Sequence, residues 1–522
     1  MLQNLAYFMI ISVSISALFN NNTHTRLATT ANSSVLQIHS KITKQSTKVH
    51  ILNNVQLQSV AIHVYSVTVI ISDCIISNLT MLAYGNMHQF IMFSNTNLIN
   101  NIHLIVKFYG RTVFQNNTFS YVKAKLGWPI FLLSYLHYVR INNCSVFNVS
   151  GSAMEIHHIK YVTVKQVQLE NVISHKPAVV CKNIIKMVMR ELYFAHIKHL
   201  STYIENVKHT EIIASIFLHN ECTFAFFINE IERKILVVNT KFLLCSCKTY
   251  AGAFYVSFHS CSELLTAHLE INLHQVVFKN CSSEKHSGCI SLVHKKIICR
   301  KKDSMKHIVV FMASCKFIAC TSIKQSGAIQ LIDIIFLQIT DCKFTDNFGV
   351  NGGALNLRNV NYFRSQNVSF TTNLATHAGG AVYAVGNKNS KSLAEIVTCG
   401  FYKNRCLLGG GLYGQNLEKV SIKNSTFVNH ITGRNGSAIH LTYITFFQIM
   451  GCSVLRNSAR ENAGGIYMVK VTSTLNINNI FEKNRGNDGG CFYISDCVSI
   501  LNVKNVYVKN RGFRGGCLPC YI

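Results

Sequence analysis

Residues 344–356 read FTDNFGVNGGALN, and residues 370–385 read FTTNLATHAGGAVYAV. Both segments begin with an FxxN motif, which a Gly-Gly-Ala triplet follows within about ten residues. Units of this type start at 344, 370, 401, 427, 454, 481 and 507, and most starts are 26 or 27 residues apart. Seven units in register indicate a repeat protein, and looser copies extend towards the N-terminus.

Within each unit, apolar and polar residues alternate over short segments, such as LQITDCKF at 337–344 and VSIKNSTF at 420–427. Alternation with Gly and Asn as breakers predicts strands, and helical periodicity is absent. Two or three short strands with tight turns use about 25 residues, and each such coil buries its apolar face only by stacking on its neighbours. We therefore predict an all-β, right-handed parallel β-helix of roughly 17 to 20 coils, with about 25–27 residues per coil. Propellers need longer repeats, and sandwiches have less regular strands.

In-register stacking places each repeat position above its equivalent, about 4.8 Å away. The repeat Phe should then stack on Phe in the interior. The residue that ends each FxxN motif should form a ladder of stacked polar side chains. This column contains Asn220, Cys245, Cys281, Cys320, Asn347, Asn373, Asn404, His430, Asn457, Asn484 and Asn510.

The Gly pairs are predicted to occupy turns that need positive φ or leave no room for a Cβ atom. The candidate turn glycines are Gly352, Gly353, Gly379, Gly380, Gly464, Gly465, Gly489, Gly490, Gly515 and Gly516.

The N-terminus resembles a secretion signal, because residues 5–19 read LAYFMIISVSISALF and carry no charge. This run has the length of a signal-peptide core and is shorter than the roughly 20 residues of a membrane span. An uncleaved anchor and a buried first strand are the alternatives. We expect a signal peptide at 1–19, an N-terminal cap at 20–50, degenerate coils at 51–241 and regular coils at 242–522, with no later transmembrane segment.

Ten N-glycosylation sequons are present, where about seven would arise by chance, and they are compatible with a secreted glycoprotein.

The composition is apolar and basic: of 522 residues 49% are hydrophobic and 14% charged, and 50 Lys and Arg outnumber 22 Asp and Glu. Such hydrophobicity excludes a disordered chain. Cations are densest at 294–307, HKKIICRKKDSMKH, within the longest interval between coils. This segment should form an outward loop, and its cations could bind anionic glycans or other host or cell-surface molecules. Because the chain is predicted to be secreted, nucleic acid is a poor candidate for the partner. A solvated loop without a partner is the alternative; the candidate residues are Lys295, Lys296, Arg300, Lys301 and Lys302.

The chain has 20 Cys, an even number that suits an oxidising compartment. Neighbouring coils bring equivalent positions within disulfide distance. Cys315 with Cys342, and Cys491 with Cys517, are therefore candidate disulfides, and at most two of the three cysteines in the ladder column can pair. The alternative is that Cys serves as a small apolar filler.

The alternative hypothesis is an enzyme, since β-helices of the pectate lyase type cleave polysaccharides. Cleavage needs paired carboxylates, or Asp clusters that hold calcium. The chain has seven scattered Asp, and Asp341 and Asp346, which share a coil, fit turns better than catalysis. We predict no catalytic, metal or cofactor site.

Other motifs are weak. His157 and His158 lack the spacing of a zinc motif, and alternate strand residues face opposite sides. Cys517 and Cys520 form a lone CxxC, and the glycines at 409–411 are not followed by a phosphate-binding Lys.

The FxxN motif followed by Gly-Gly-Ala and an apolar residue resembles the repeat of the polymorphic outer membrane proteins of chlamydiae. Surface proteins of parasitic protists such as trichomonads carry a similar repeat. The resemblance covers residues 242–517 and implies a β-helical adhesin displayed on a cell surface. We therefore expect a secreted or cell-surface adhesin, with a polysaccharide-cleaving enzyme or a truncated fragment as alternatives.

The last repeat ends at Ile522, shortly after its Gly pair. An uncapped coil exposes backbone groups and core. We therefore expect either that the chain is truncated or that its last coil is covered by end-to-end self-association. The alternative is that a short fold-back at Pro519 covers the last coil.

Overall fold

The structure is a computed structural model, which describes residues 13–14, 24–27, 36–40, 47–51, 56–57, 60–65, 67–73, 75–76, 79–99, 102–122, 129–228, 233–260, 268–296, 307–387, 391–515 and 520–521. Within these ranges every regular element is a β-strand and none is a helix. The strands pair in parallel and form a β-solenoid of about 15 turns of roughly 26 residues. The predicted parallel β-helix is thereby confirmed.

The number of turns is lower than the 17 to 20 expected. That estimate divided the chain by a 25-residue period, whereas a turn is slightly longer and some intervals carry insertions. The interval from Phe278 to Phe317, for example, has 39 residues.

A search of the described residues for a helix long and apolar enough to cross a membrane found none.

The chain divides into two compact units, residues 1–216 and 217–522. The predicted change from degenerate to regular coils at 241/242 thus lies inside the second unit. The repeat Phe column already includes Phe217, which stacks on Phe242. Of the predicted signal peptide the structure describes only Val13–Ser14. Of the predicted cap it describes His24–Leu27, Leu36–Ser40 and all but the last residue of Thr47–Ile51.

In the first unit, successive coils stack long strands that bend where a single residue has positive φ. The 20-residue strand Met154–Ile173, for example, turns at His158 and Gln166, with φ of 54° and 53°. The strands are Val13–Ser14, His24–Leu27, Leu36–Ser40, Thr47–Ile51, Gln56–Leu57, Val60–Tyr65, Val67–Ser72, Ile75–Ile76, Leu79–Ser94, Asn97–Ile99, Ile102–Gln115, Thr118–Ser120, Phe131–Ser134, Tyr138–Ser150, Met154–Ile173, Val179–Arg190, Tyr193–Ala195, Thr202–Glu205 and His209–Ile213, and Ile216–Leu218 spans the unit boundary.

In the second unit each regular coil has four strand segments, which we call faces 1 to 4 in chain order, rather than the two or three expected. In five coils faces 1 and 2 are the halves of one twelve-residue strand: Ile329–Thr340, Leu355–Gln366, Leu412–Lys423, Ile439–Met450 and Ile466–Ile477. Elsewhere face 1 consists of Phe224–Ile228, Phe254–Ser260, Ile290–Lys296, Val382–Val385, Phe492–Ser495 and Cys520–Tyr521, and face 2 of Arg233–Val238, His268–His274, His307–Ala313, Leu393–Val397 and Ser499–Val503.

Faces 3 and 4 are shorter. Face 3 consists of the three-residue strands Lys241–Leu243, Val277–Lys279, Lys316–Ile318, Lys343–Thr345, Ser369–Thr371, Gly400–Tyr402, Thr426–Val428, Ser453–Leu455, Ile480–Glu482 and Val506–Val508. Face 4 is a separate ten-stranded sheet of Ser246–Cys247, Ser282–Ser283, Thr321–Ser322, Phe348–Asn351, Leu374–Ala378, Arg405–Cys406, Ile431–Thr432, Ser458–Ala459, Arg485–Asp488 and Arg511–Arg514.

The core of the second unit contains a column of side chains at the centres of the face 3 strands, which are Phe except for Val454 and Tyr507. Phe317 and Phe344, for example, stack with ring centroids 4.6 Å apart and an interplanar angle of 2°. Parallel stacks continue through Phe370, Phe401 and Phe427, all fully buried. The expectation that Phe stacks on Phe inside the solenoid is confirmed.

Four turns separate the faces, and in several coils each of them places one residue in the left-handed region. In one coil these residues are Asp333, Asp341, Asp346 and Gly352, with φ of 58°, 54°, 56° and 69°. Gly, Asn and Asp adopt this conformation at the least cost. This explains why Gly, Asn and Asp recur at many of the turns.

Candidate functional site

The predicted ladder column lies in the interior, directly after the third turn of each coil. Nδ2 of Asn347 donates to Oδ1 of Asn373 at 2.9 Å and to the carbonyl of Phe317 at 3.1 Å, while Oδ1 of Asn347 accepts the N–H of Cys320 at 3.0 Å. The same bond between side chains joins Asn373 to Asn404, Asn457 to Asn484, and Asn484 to Asn510. These amides are engaged within the protein, so the ladder is structural.

His430 interrupts this ladder. Its Nδ1 accepts the N–H of Asn404 at 3.0 Å, and its own N–H donates to Oδ1 of Asn457. Its Nε2 is buried and has no hydrogen-bond partner in the described part of the chain. Burial lowers the pKa of His430 to about 3, so the ring is neutral at physiological pH.

A second interior ladder, which the sequence analysis missed, occupies the position two residues before the repeat Phe. The N–H of Cys399 donates to Oγ of Ser425 at 3.0 Å, and the N–H of Cys452 donates to Oδ1 of Asn479 at 2.7 Å. The signal in the sequence is the recurrence of small polar residues or Cys at this position: Cys315, Cys342, Cys399, Ser425, Cys452, Asn479 and Asn505.

This ladder explains why the structure pairs other cysteines than those expected. Cys315 and Cys342 are thiols. The Sγ of Cys342 accepts the N–H of Cys315 at 3.3 Å and donates to the carbonyl of Thr340 at 3.2 Å. A disulfide would forfeit this bonding, because the thiols act as rungs of the ladder. Cys491 is buried, and its expected partner Cys517 lies outside the described residues, so that pairing stays a prediction.

The two disulfides in the described residues join Cys222 to Cys247 and Cys289 to Cys320, with Cα atoms 4.6 and 6.3 Å apart. Cys320 belongs to the predicted column of three cysteines but pairs outside it. The other two members, Cys245 and Cys281, are buried thiols. Burial, together with the hydrogen bond from Cys245, raises the pKa of Cys281 well above its ordinary value.

The predicted turn glycines serve both roles expected of them. Gly352 has a φ of 69°, and a Cβ atom on Gly353 would lie 2.2 Å from the carbonyl oxygen of Gly380. In one coil the pattern shifts by one residue: Ala463 takes the positive-φ position, and Gly464 and Gly465 follow it. Gly516 lies outside the described residues.

Six of the sequons have their Asn at one kind of place, an exposed turn residue with φ between 48° and 54°. The next residue points inward, and in four of the six the Ser or Thr opens the following strand. The turn geometry therefore favours the N-x-S/T pattern by itself, since Asn tolerates positive φ. These residues are Asn116, Asn143, Asn148, Asn280, Asn367 and Asn424.

The acidic and His residues considered for catalysis occupy turns or the outer surface. Asp341 accepts the Nδ2 of Asn367 at 2.6 Å, and Asp346 accepts the hydroxyl of Thr372 in the next coil. His158 is exposed and stacks on Tyr135. A search of the described ranges for three or more His, Cys, Asp or Glu side chains placed to hold a metal ion found no such group.

The predicted basic loop falls largely outside the described residues. Lys295 and Lys296 end the strand Ile290–Lys296, and the structure does not describe Arg300, Lys301 or Lys302.

A different set of cations lines the outer surface of the second unit, and we call it the basic ridge: Lys403, Arg405, Arg456, Arg460, Lys483, Arg485, Lys509 and Arg511, all exposed. Its residues come from four of five consecutive coils and lie at the third turn and on face 4; the coil between Arg405 and Arg456 has Ile431 on face 4 instead of a cation. Four of them hold the positive-φ position of that turn, with φ between 52° and 55°: Lys403, Arg456, Lys483 and Lys509.

Stacking brings these cations together although they are far apart in the chain. On face 4, Arg485 pairs in register with Arg511, and Ser458 pairs with Arg485. At the turn, the N–H of Lys483 donates to the carbonyl of Val508, which precedes Lys509. Cations of neighbouring coils therefore start about 4.8 Å apart at their Cα atoms.

Carboxylates border the ridge on both sides. Glu482 on face 3 accepts the Nζ of Lys483 at 2.7 Å, and this hydrogen bond lowers the pKa of Glu482. At the far end of face 4, Asp488 lies 3.9 Å from Arg514, a residue outside the ridge. Among the described residues, Lys483 is the only ridge cation within 4.0 Å of a carboxylate oxygen.

An aromatic column on the outward side of face 1 is the other regular surface feature. Tyr383, Tyr413, His440, Tyr467 and Tyr493 stack with ring centroids 4.5 to 5.1 Å apart. His440 is only 5% exposed, and burial lowers its pKa to about 4. This column is packed against the protein and offers a ligand less surface than the ridge.

No protein-family model matches the chain. No curated protein matches it either.

Proposed function

We propose that this chain is a secreted or cell-surface β-solenoid that acts by binding, as an adhesin or display protein, and not by catalysis. The observation that carries the proposal is the regularity of its outer surface. In the second unit each outward position recurs in consecutive coils at about one strand spacing, so one residue type can form an extended row. Such rows suit a repetitive ligand better than a single small molecule.

The interior supports the same proposal. The two ladders and the Phe column use the inward and turn positions of each coil for stability. The outward positions are therefore the ones that are free to differ from coil to coil, and the basic ridge shows that they differ in charge. Binding surfaces on rigid repeat scaffolds have this organisation.

The resemblance of the FxxN and Gly-Gly-Ala repeat to chlamydial polymorphic outer membrane proteins supports the finer proposal of a displayed adhesin. The apolar run at 5–19 supports export of the chain. A polysaccharide-cleaving enzyme has less support, because Asp341 and Asp346 are both engaged in turns.

A glycan array probed with the purified full-length chain, run beside an oligogalacturonate cleavage assay, tests this proposal. We expect selective retention on a subset of glycans and no shortening of the oligogalacturonate. The thermally unfolded chain serves as the control for nonspecific adsorption. Release of cleaved oligosaccharides at an enzymatic rate, or retention no better than that of the unfolded control on every glycan, would contradict it.

A further inference from the structure

We propose that the basic ridge binds a linear sulfated polysaccharide that runs along the stacking direction of the coils. The inference rests on the proposed binding function and names the ligand class and the surface. It concerns a part of the chain other than the basic segment at 294–307.

The spacing of the cations is the first argument. Arg485 and Arg511 occupy equivalent positions in neighbouring coils, as do Lys483 and Lys509. Their separation of about 5 Å at Cα is below the screening length of roughly 8 Å at physiological ionic strength, so their fields overlap. A surface of this kind concentrates counterions, and a polyanion that displaces them gains the free energy of their release.

The chemistry of the side chains is the second argument. Five of the eight ridge cations are Arg, whose planar guanidinium can donate two parallel hydrogen bonds to an oxyanion. A sulfate group presents the tetrahedral oxygens that this geometry fits. Since Arg405, Arg456, Arg485 and Arg511 have no carboxylate partner in the described residues, their donors are available to such a ligand.

The surroundings favour a linear polymer over a membrane. Glu482 on one side and Asp488 on the other confine the positive surface to a strip. A flat anionic membrane would have to approach these carboxylates too, whereas a single chain can follow the strip between them.

Exposed apolar side chains lie within or beside the strip. Ile431 is 50% exposed in the same row as Arg405 and Arg485, and Phe513, two residues after Arg511, is 88% exposed. Exposed apolar groups with a polar rim are typical of ligand-binding surfaces. A sulfated polysaccharide offers both sulfates for the cations and the apolar faces of its sugar rings for these side chains.

The test is fluorescence anisotropy with a labelled heparin oligosaccharide, measured between 50 and 200 mM NaCl. The full-length chain is compared with R485Q/R511Q and with a matched control, R140Q/K160Q, which removes two exposed cations elsewhere. Far-ultraviolet circular dichroism and thermal melting verify that both variants fold. Fully desulfated heparin and vesicles that contain phosphatidylserine are tested in parallel.

We expect the affinity of the unchanged chain to fall log-linearly with salt. R485Q/R511Q should bind on the order of tenfold more weakly, with a salt dependence reduced by about two ions, while the control changes less than twofold. Equal losses in both variants, no loss in R485Q/R511Q, absence of heparin binding, or tighter binding to vesicles or to desulfated heparin would each overturn the inference. Retention on uncharged glycans of the array without heparin binding would overturn this inference alone, whereas oligogalacturonate cleavage would overturn the proposed function.

Discussion

His430 occupies a ladder position that Asn fills in the coils on either side, Asn404 and Asn457. In the Asn rungs, Nδ2 donates both backwards to a Phe carbonyl and forwards to the next rung. The imidazole accepts one hydrogen bond in the column but leaves Nε2 buried without a partner in the described residues. An unsatisfied buried polar atom is destabilising by about 1 to 3 kcal/mol.

The variant His430→Asn should therefore be more stable than the natural chain. The new amide can donate to the carbonyl of Phe401 and to Oδ1 of Asn457, as the equivalent rungs do. We expect the free energy of unfolding to rise by about 1 kcal/mol, measured by urea denaturation at pH 7.5. The reverse change, Asn457→His, is the control and should lower it; a lower stability for His430→Asn would show that the ring is preferred at this site.

His430 also makes stability depend on pH. Its pKa is about 3 in the folded protein and about 6.5 in an unfolded chain. Below about pH 6.5 the unfolded chain therefore binds a proton that the folded protein does not, and stability falls as the pH falls towards 3. The loss is about 1.4 kcal/mol per pH unit for each such group, and His440, with a pKa of about 4, adds a second.

Urea denaturation of the natural chain and of His430→Asn at pH 7.5, 6.0 and 5.0 isolates this contribution. Acidification should lower the free energy of unfolding of the variant less than that of the natural chain. The difference should correspond to one proton, which is about 1.4 kcal/mol per pH unit. Identical slopes would mean that His430 is protonated in the folded protein.

At the residue scale the sequence predicted which positions share a column but not how they bond. Equivalent positions follow from the period, so Asn347, Asn373 and Asn404 could be aligned in advance. The bonding of Cys315 and Cys342 could not, because Cys is at once a disulfide partner, an apolar filler and a hydrogen-bonding rung, and the choice depends on neighbouring backbone atoms.

The turn between face 4 and face 1 is the tightest element of the coil. A Cβ atom on Gly353 would lie 2.2 Å from the carbonyl oxygen of Gly380, a backbone atom that itself belongs to the next coil. A Cβ atom on Gly433 would meet chiefly Leu407, whose side chain is 39% exposed and can move. The two glycines thus form a matched pair for substitution.

We expect Gly353→Ala to lower the free energy of unfolding by roughly 2 kcal/mol or more, because coil stacking must loosen to admit the methyl group. Gly433→Ala should stay within about 0.5 kcal/mol of the natural chain. Chemical denaturation of the three proteins measures the difference. Equal effects of the two changes would show that the close approach at Gly353 does not limit stacking.

The disulfides are a second prediction at the level of elements. Peptide mapping without reduction should link Cys222 to Cys247 and Cys289 to Cys320, and Cys315 and Cys342 should be alkylated only after unfolding. Each bridge closes a loop of 25 or 31 residues, and its replacement by two Ala should cost about 3 kcal/mol. A peptide that joins Cys315 to Cys342 would contradict this pairing.

The elements themselves were predictable in part. The alternation in segments such as 420–427 identified strands, and the repeat gave the coil. Face 4 was missed as a separate sheet because its strands, such as Ser458–Ala459, are too short to show alternation. Such strands are defined by their hydrogen bonds to the neighbouring coils, and the local sequence pattern does not identify them.

At the scale of the whole molecule, stacking of the coils brings together cations that lie far apart in the sequence. The sequence pointed to residues 294–307, where cations are densest along the chain. The ridge does not show as a cluster in the sequence, because its members, such as Arg456, Lys483 and Lys509, are about one coil apart. The feature that could have revealed it is the residue preceding the ladder Asn, which is Lys or Arg in four of the repeat units.

The most direct test of the account is covalent footprinting of arginine with phenylglyoxal, read by mass spectrometry, on the full chain with and without a heparin oligosaccharide. If the ridge is the binding surface, Arg456, Arg485 and Arg511 should become protected by the ligand, while exposed Arg140 continues to react. Protection spread equally over all arginines, or protection of Arg140 without the ridge, would contradict the claim that the stacked outer rows of this solenoid form its binding site.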